Sequence, residues 1–120
     1  MELKQCGHSG LYLSALGLGT LTWGRDTDGP EAHDMLKTFV DAGGNLVECS
    51  PAHGEGIAVD VLSQALSTVG RHRVALAWRG AVRRAGEGAW VSAAGRGDLL
   101  RSLDDALARL DTDYVDMWLV

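Results

Sequence analysis

With 120 residues, 46% of them hydrophobic, the chain can form one domain (1–120) with a packed core, but it falls short of the ~250 residues of a closed strand-helix barrel. Sixteen acidic against eleven basic side chains leave a net charge of −5, and basic residues crowd only at Arg71/Arg73 and Arg83/Arg84. No stripe tracks a phosphate backbone, so nucleic acid is excluded as a partner; the short apolar runs and the Met1-Glu2-Leu3-Lys4-Gln5 start suggest no membrane span or secretion signal, and a cytoplasmic location is expected.

Leu3 to Gln5 and Leu11 to Leu13 flank Cys6-Gly7-His8-Ser9-Gly10, whose glycines can take positive φ, and the segment reads as a β-hairpin. Ala15 to Thr20 is the first strand of the main sheet. Pro30, just after Asp28-Gly29, opens a helix in which Ala32, Met35, Leu36, Phe39 and Val40 recur at helical spacing, and Gly43-Gly44 closes it. A short strand then ends at Glu48. Its alternation sends Leu46 and Glu48 to one face and Val47 and Cys49 to the other. In sheets built from strand-helix units ligands sit at the carboxyl ends of the strands, which is where Glu48 and His53 fall.

Ala58, Val61, Leu62, Ala65, Leu66 and Val69 predict a second helix between Gly56 and Gly70. Val74 to Trp78 is the third strand, with Arg79 just beyond it. If Arg79 points inward, Ala75 and Ala77 share its face while Val74, Leu76 and Trp78 meet the helices. Gly80 to Gly97 has no clear period and reads as a mobile rim loop or a poorly ordered segment. Asp98 is expected to cap a third helix that buries Leu99, Leu100, Leu103, Ala106, Leu107 and Leu110, with Arg101, Asp105 and Arg109 as an i,i+4 ladder outside. Tyr114 to Val120 is the fourth strand.

Trp78 and Trp118 read as core, while Trp23 and Trp90 lie on rim segments where an aromatic wall is as plausible as plain packing. Asp116, inside an apolar strand, requires a partner that the sequence does not name. Cys6 and Cys49 lack CxxC spacing and read as reduced thiols; Glu48 and Cys49 face opposite ways, so no metal set forms with His53. Strands alternating with helices argue for an α/β fold with a parallel sheet and right-handed crossovers. The last strand is left as an open edge. Either the chain is the front of a larger fold or a partner completes it, and the edge offers a route to self-association.

Ser9-Gly10-Leu11, Leu13-Ser14-Ala15-Leu16-Gly17-Leu18-Gly19-Thr20, Asp41-Ala42-Gly43-Gly44-Asn45 and Leu110-Asp111-Thr112-Asp113-Tyr114-Val115-Asp116 resemble, in order and spacing, the first half of an aldo-keto reductase. The resemblance implies a partial (β/α)8 TIM barrel: an N-terminal β-hairpin closing the bottom, then about four parallel strands and three helices. It also implies NADP as cofactor and a small carbonyl substrate, an aldehyde or ketone. In that family the nicotinamide gives hydride to the carbonyl carbon, a tyrosine gives a proton to the oxygen, a lysine paired with an aspartate tunes the tyrosine, and a histidine orients the substrate.

By that resemblance the aspartate falls on Glu48, the tyrosine on His53 and the lysine on Arg79, and the histidine would lie just past Val120. Glu48, His53 and Arg79 are the candidate catalytic residues; Gly19, Thr20, Leu21 and Glu48 are the candidates for the nicotinamide ribose. Most family contacts to the pyrophosphate and adenosine phosphate come from the second half of the barrel.

All three substitutions change the chemistry. Glutamate adds about 1.5 Å of reach, in sites where a shift of about 1 Å matters. Arginine stays protonated and spreads its charge over a plane. His53, with an ordinary pKa near ~6.5, is expected to be driven towards neutral by Arg79. The expectation is a weak or absent reductase. The alternative is a pseudoenzyme, a ligand-binding or oligomerising scaffold in which Glu48 and Arg79 form only a structural salt bridge.

Overall fold

The computed structural model describes residues 1–120. Its elements in chain order are β1 (Leu3–Gln5), β2 (Tyr12–Ser14), β3 (Gly17–Gly19), α1 (Gly29–Asp41), β4 (Leu46–Cys49), α2 (Ala58–Val69), β5 (Ala75–Arg79), β6 (Val82–Ala85), β7 (Ala89–Ser92), α3 (Arg96–Leu110) and β8 (Met117–Leu119). Strands β3, β4, β5 and β8 form one parallel sheet in that order, and α1, α2 and α3 are the crossovers between them. No helix is long and apolar enough to cross a membrane.

The β1–β2 hairpin pairs Gln5 with Tyr12, one residue later than the sequence suggests, because Cys6 N–H donates to Leu11 O and draws Leu11 into the turn. The hairpin is tied to the amino end of the sheet. Ser14 N–H donates to Asn45 Oδ1 at 2.7 Å, and Ser14 Oγ accepts from the N–H groups of Asn45 and Leu46. It therefore sits at the bottom, opposite the candidate site.

Helix α1 starts as its sequence predicts: Asp28 accepts from Glu31 N–H at 2.9 Å and Pro30 lies in the first turn. Helix α3 does not. It begins at Arg96 behind Gly95, with no side-chain cap, and Asp98 lies inside the first turn, where it holds Arg101 at 2.8 Å. Of its expected apolar face only Ala106 and Leu110 are buried, and Leu100 is 44% exposed, because α3 lies at the margin of the helix layer next to edge strand β8. The expected ladder is also absent: Arg109 reaches across to Asp60 on α2, and Asp105 joins no ion pair.

Alternation along the strands puts Leu18, Val47, Cys49, Leu76 and Trp78 beneath the helices, where they pack with Leu36, Val59, Leu62 and Leu66 in one cluster. The other face carries Gly17, Leu46 and Ala75 in one row and Gly19, Glu48, Ala77 and Met117 in the next. The molecule measures 41 × 36 × 22 Å. The thin dimension is about one helix layer on one sheet, given helix diameters of ~10–12 Å, so the second sheet face is uncovered.

Three further expectations change. Trp118 lies beside Trp78 in the register but is 38% exposed, since β8 is an edge with no helix over its far side. Trp23 is no rim residue; it is fully buried in the core. Gly80 to Gly97 is not an unstructured loop, because Val82–Ala85 and Ala89–Ser92 pair as an antiparallel hairpin that turns at Gly86 (φ 62°). Asp116 finds its partner in Arg71: Asp116 Oδ2 accepts from Arg71 Nη2 and from Leu76 N–H, both at 2.8 Å. Arg71 also donates to Val74 O and Tyr114 O and stacks 3.9 Å over the Tyr114 ring, clamping the start of β5 to the approach to β8.

Candidate active site

Glu48 stands on the uncovered face one residue before the end of β4, between Gly19 and Ala77 in the register. A Cβ at Gly19 would meet nothing within 4 Å, so there is open space beside the carboxylate. Arg79 ends β5, two residues beyond Ala77 on the same face, and its Nε lies 2.8 Å from Glu48 Oε1 as an ion pair. The guanidinium is 57% exposed, which limits the pair's contribution to stability to about 1 kcal/mol at most.

His53 follows the Ser50-Pro51 turn, with its N–H donating to Ser50 O at 3.1 Å. The next three residues all take positive φ: Gly54 at 56°, Glu55 at 56° and Gly56 at 93°. Glycine is required at 54, because a Cβ there would run into the Trp23 carbonyl oxygen, and Gly54 N–H donates to Leu21 O at 2.9 Å. This turn therefore interlocks with the β3–α1 loop. Arg84 donates to Glu55 O and Arg109 to Gly56 O, holding the strained backbone from the other side.

The His53 ring lies with Nδ1 3.0 Å from Thr20 Oγ1, and Thr20 is fully buried. The proton affinity of His53 is lowered, first by burial, while Glu48 pulls it up and Arg79 pushes it down. The direction agrees with the sequence expectation but its main cause differs: desolvation outweighs the Arg79 charge. Cys49, on the opposite face, has its thiol pushed up to about 11 by burial, with the nearby Thr20 hydroxyl opposing the shift, so it is a packed thiol at neutral pH.

The structure thus brings Glu48 and Arg79 into contact and sets His53 where both charges act on it, at the carboxyl end of a parallel sheet. Leu21 is 59% exposed beside them. Trp23 forms no aromatic wall. Trp90, under the Arg84 guanidinium, lines a cavity of about 550 Å³ between the β6–β7 hairpin, α3 and the 51–56 turn, and none of Glu48, His53 or Arg79 reaches it. The residue whose role was not foreseen is Thr20: it is a candidate for the cofactor in sequence, yet in the structure its hydroxyl is directed at His53. Only the Gly19-Thr20 placement next to the second strand gives any hint of that in the sequence.

Residues 15–120 match the model of the aldo/keto reductase family. The chain is 31% identical over 118 residues to a rice (Oryza sativa subsp. japonica) protein named as a probable voltage-gated potassium channel subunit beta, covering 98% of this chain and 36% of that one. It is similar to the solved structure of PA4992 from Pseudomonas aeruginosa, described as a putative aldo-keto reductase, with a TM-score of 0.88 and 32% identity over 98% of this chain and 46% of that one. An aldo-keto reductase from Klebsiella pneumoniae solved in complex with NADPH is similar at a TM-score of 0.70 and 26% identity, over 91% of this chain and 35% of that one. The chain therefore spans about a third of the length of the curated relative and under half of each solved chain.

Proposed function

The chain belongs to the aldo/keto reductase family, and from that premise we propose that it forms the substrate-facing mouth of an NADP(H)-dependent oxidoreductase acting on small aldehydes or ketones, with its catalytic chemistry weakened. The observation that carries this reading is the Glu48–Arg79 contact at 2.8 Å, with His53 inside the field of both, on the uncovered face of a four-stranded parallel sheet.

The nicotinamide end of the cofactor fits what is present. Gly19 offers open space, Leu21 an exposed apolar side chain, and Glu48 a carboxylate able to accept from ribose hydroxyls. The related Klebsiella enzyme in complex with NADPH supports the same cofactor class. When bound, NADPH supplies a hydride. The chain's own part is to position the carbonyl oxygen and stabilise negative charge developing on it: Arg79 provides a fixed cation and His53 a ring N–H. At neutral pH the lowered proton affinity of His53 leaves little imidazolium, so the general-acid step, worth about 10²–10⁴-fold in rate, is lost in large part.

Titrating the 120-residue chain with NADPH while following tryptophan fluorescence tests the reading. A saturable change that Glu48→Ala weakens about tenfold is expected, the size of one charge-assisted hydrogen bond. No saturable change up to millimolar NADPH removes the proposal.

A second reading, an oligomerising scaffold without catalysis, rests on a separate observation: β3 and β8 are both unpaired edges, with Leu16 66% and Val120 74% exposed beside them. Sedimentation decides it, because a folded monomer at all accessible concentrations rules out self-association through those edges.

A further inference from the structure

Thr20 Oγ1 lies 3.0 Å from His53 Nδ1, and Thr20 has no solvent exposure. A hydroxyl has one hydrogen to donate, and a buried donor left without an acceptor costs about 1–3 kcal/mol. Two acceptors are near it. One is the bare nitrogen of a neutral imidazole; the other is Cys49 Sγ, a weak acceptor whose own S–H leans towards Ser50 O at 3.9 Å. The nitrogen is much the stronger. If His53 instead carried its proton on Nδ1, that N–H would donate to Thr20 Oγ1 and the hydroxyl hydrogen would have to turn to the sulfur alone. His53 Nε2, by contrast, has no partner within the chain, so the site imposes no opposing demand on it.

We propose that Thr20 is a positioning residue: its hydroxyl donates to His53 Nδ1, fixes the Nε2–H tautomer, and so presents a neutral N–H donor for a carbonyl oxygen. The carbonyl as ligand rests on the reductase reading above; the tautomer does not. A neutral imidazole N–H can polarise a carbonyl oxygen, but it gives up its proton far less readily than an imidazolium. The same contact opposes protonation of the ring, because imidazolium needs Nδ1–H and would displace the Thr20 hydrogen. That agrees in direction with the effect of burial, while Glu48 and Arg79, the charged groups acting on the ring, oppose one another. The buried hydroxyl thus explains how a site with a histidine in the proton-donor position still offers a directional hydrogen bond.

The test is a long-range ¹H–¹⁵N correlation spectrum of the histidine rings in the ¹⁵N-labelled chain, without cofactor or carbonyl, with His53 assigned by the signals lost in His53→Gln. Above its titration the wild-type ring is expected to show Nε2 protonated and Nδ1 bare. Thr20→Val, close to isosteric, should mix the tautomers and raise the His53 titration midpoint, and Thr20→Ser should restore both. A protonated Nδ1 in the wild type overturns the proposal, and so does a Thr20→Val spectrum unchanged in tautomer and midpoint. If Thr20→Val does not fold, the wild-type spectrum decides alone. Failure of the NADPH titration would leave this result standing, and failure here would leave the cofactor reading intact.

Discussion

Because burial is the largest influence on His53, the sign of its pH linkage follows from the fold. The unfolded ring titrates near ~6.5 and the native ring lower, so between those values the unfolded state holds more protons. The stabilisation is complete above the unfolded value, is lost as pH falls through the native one, and then levels off. Denaturant midpoints should drop between pH 7.5 and 5, and His53→Gln should flatten that drop; an unchanged slope would show that His53 is not the linked group. Cys49 makes a complementary case. With its thiol near 11 and no exposure, it should resist iodoacetamide at pH 8 while the partly exposed Cys6 reacts, and label at a comparable rate only in denaturant. At this scale the Glu48–Arg79 pair is readable in the sequence, since strand alternation and two short spacings put both on one face. The Thr20–His53 contact is not, because its partners are 33 residues apart and belong to loops whose interlock depends on Gly54 and Trp23.

Among the elements, the turn after His53 and the Arg71 clamp are where single changes act most strongly. Gly54→Ala places a methyl against the Trp23 carbonyl at positive φ and should cost about 3 kcal/mol in urea unfolding, whereas Gly86→Ala, at φ 62° with open space around it, should cost ~1 kcal/mol. Asp116→Ala leaves the Arg71 charge, 16% exposed, and Leu76 N–H without their shared acceptor and should cost about 3 kcal/mol; Asp116→Asn, which keeps an acceptor oxygen, should cost less. Equal effects of the two Asp116 changes would contradict the clamp. Helices α1 and α2 were legible because apolar spacing and glycine stops agree. The β6–β7 hairpin was not: Val82-Arg83-Arg84-Ala85 offers long cationic side chains where a strand usually shows β-branched ones, and the Arg84 guanidinium lies over the Trp90 ring across the hairpin. Helix α3 misled for a related reason, since its leucines follow a helical period whose outer part faces no neighbouring layer.

At the scale of the molecule, one helix layer on one four-stranded sheet leaves the face carrying Glu48 and Arg79 without a second layer, its central Ala75 and Ala77 being buried all the same. The alternation of strands and helices, the bottom hairpin and the family were readable in sequence because they rest on local period and turn chemistry. What covers the open face is not encoded in local pattern, and the chain spans only 36% of its rice relative. The central claim is that this mouth keeps the family's arrangement of acid, proton carrier and cation while its substitutions suppress proton donation. The most direct measurement compares NADPH-dependent aldehyde reduction at pH 7 by the wild type and by the Glu48→Asp/His53→Tyr/Arg79→Lys variant. The account predicts that the variant is faster by about 10²-fold or more. Equal rates in the two proteins would contradict it.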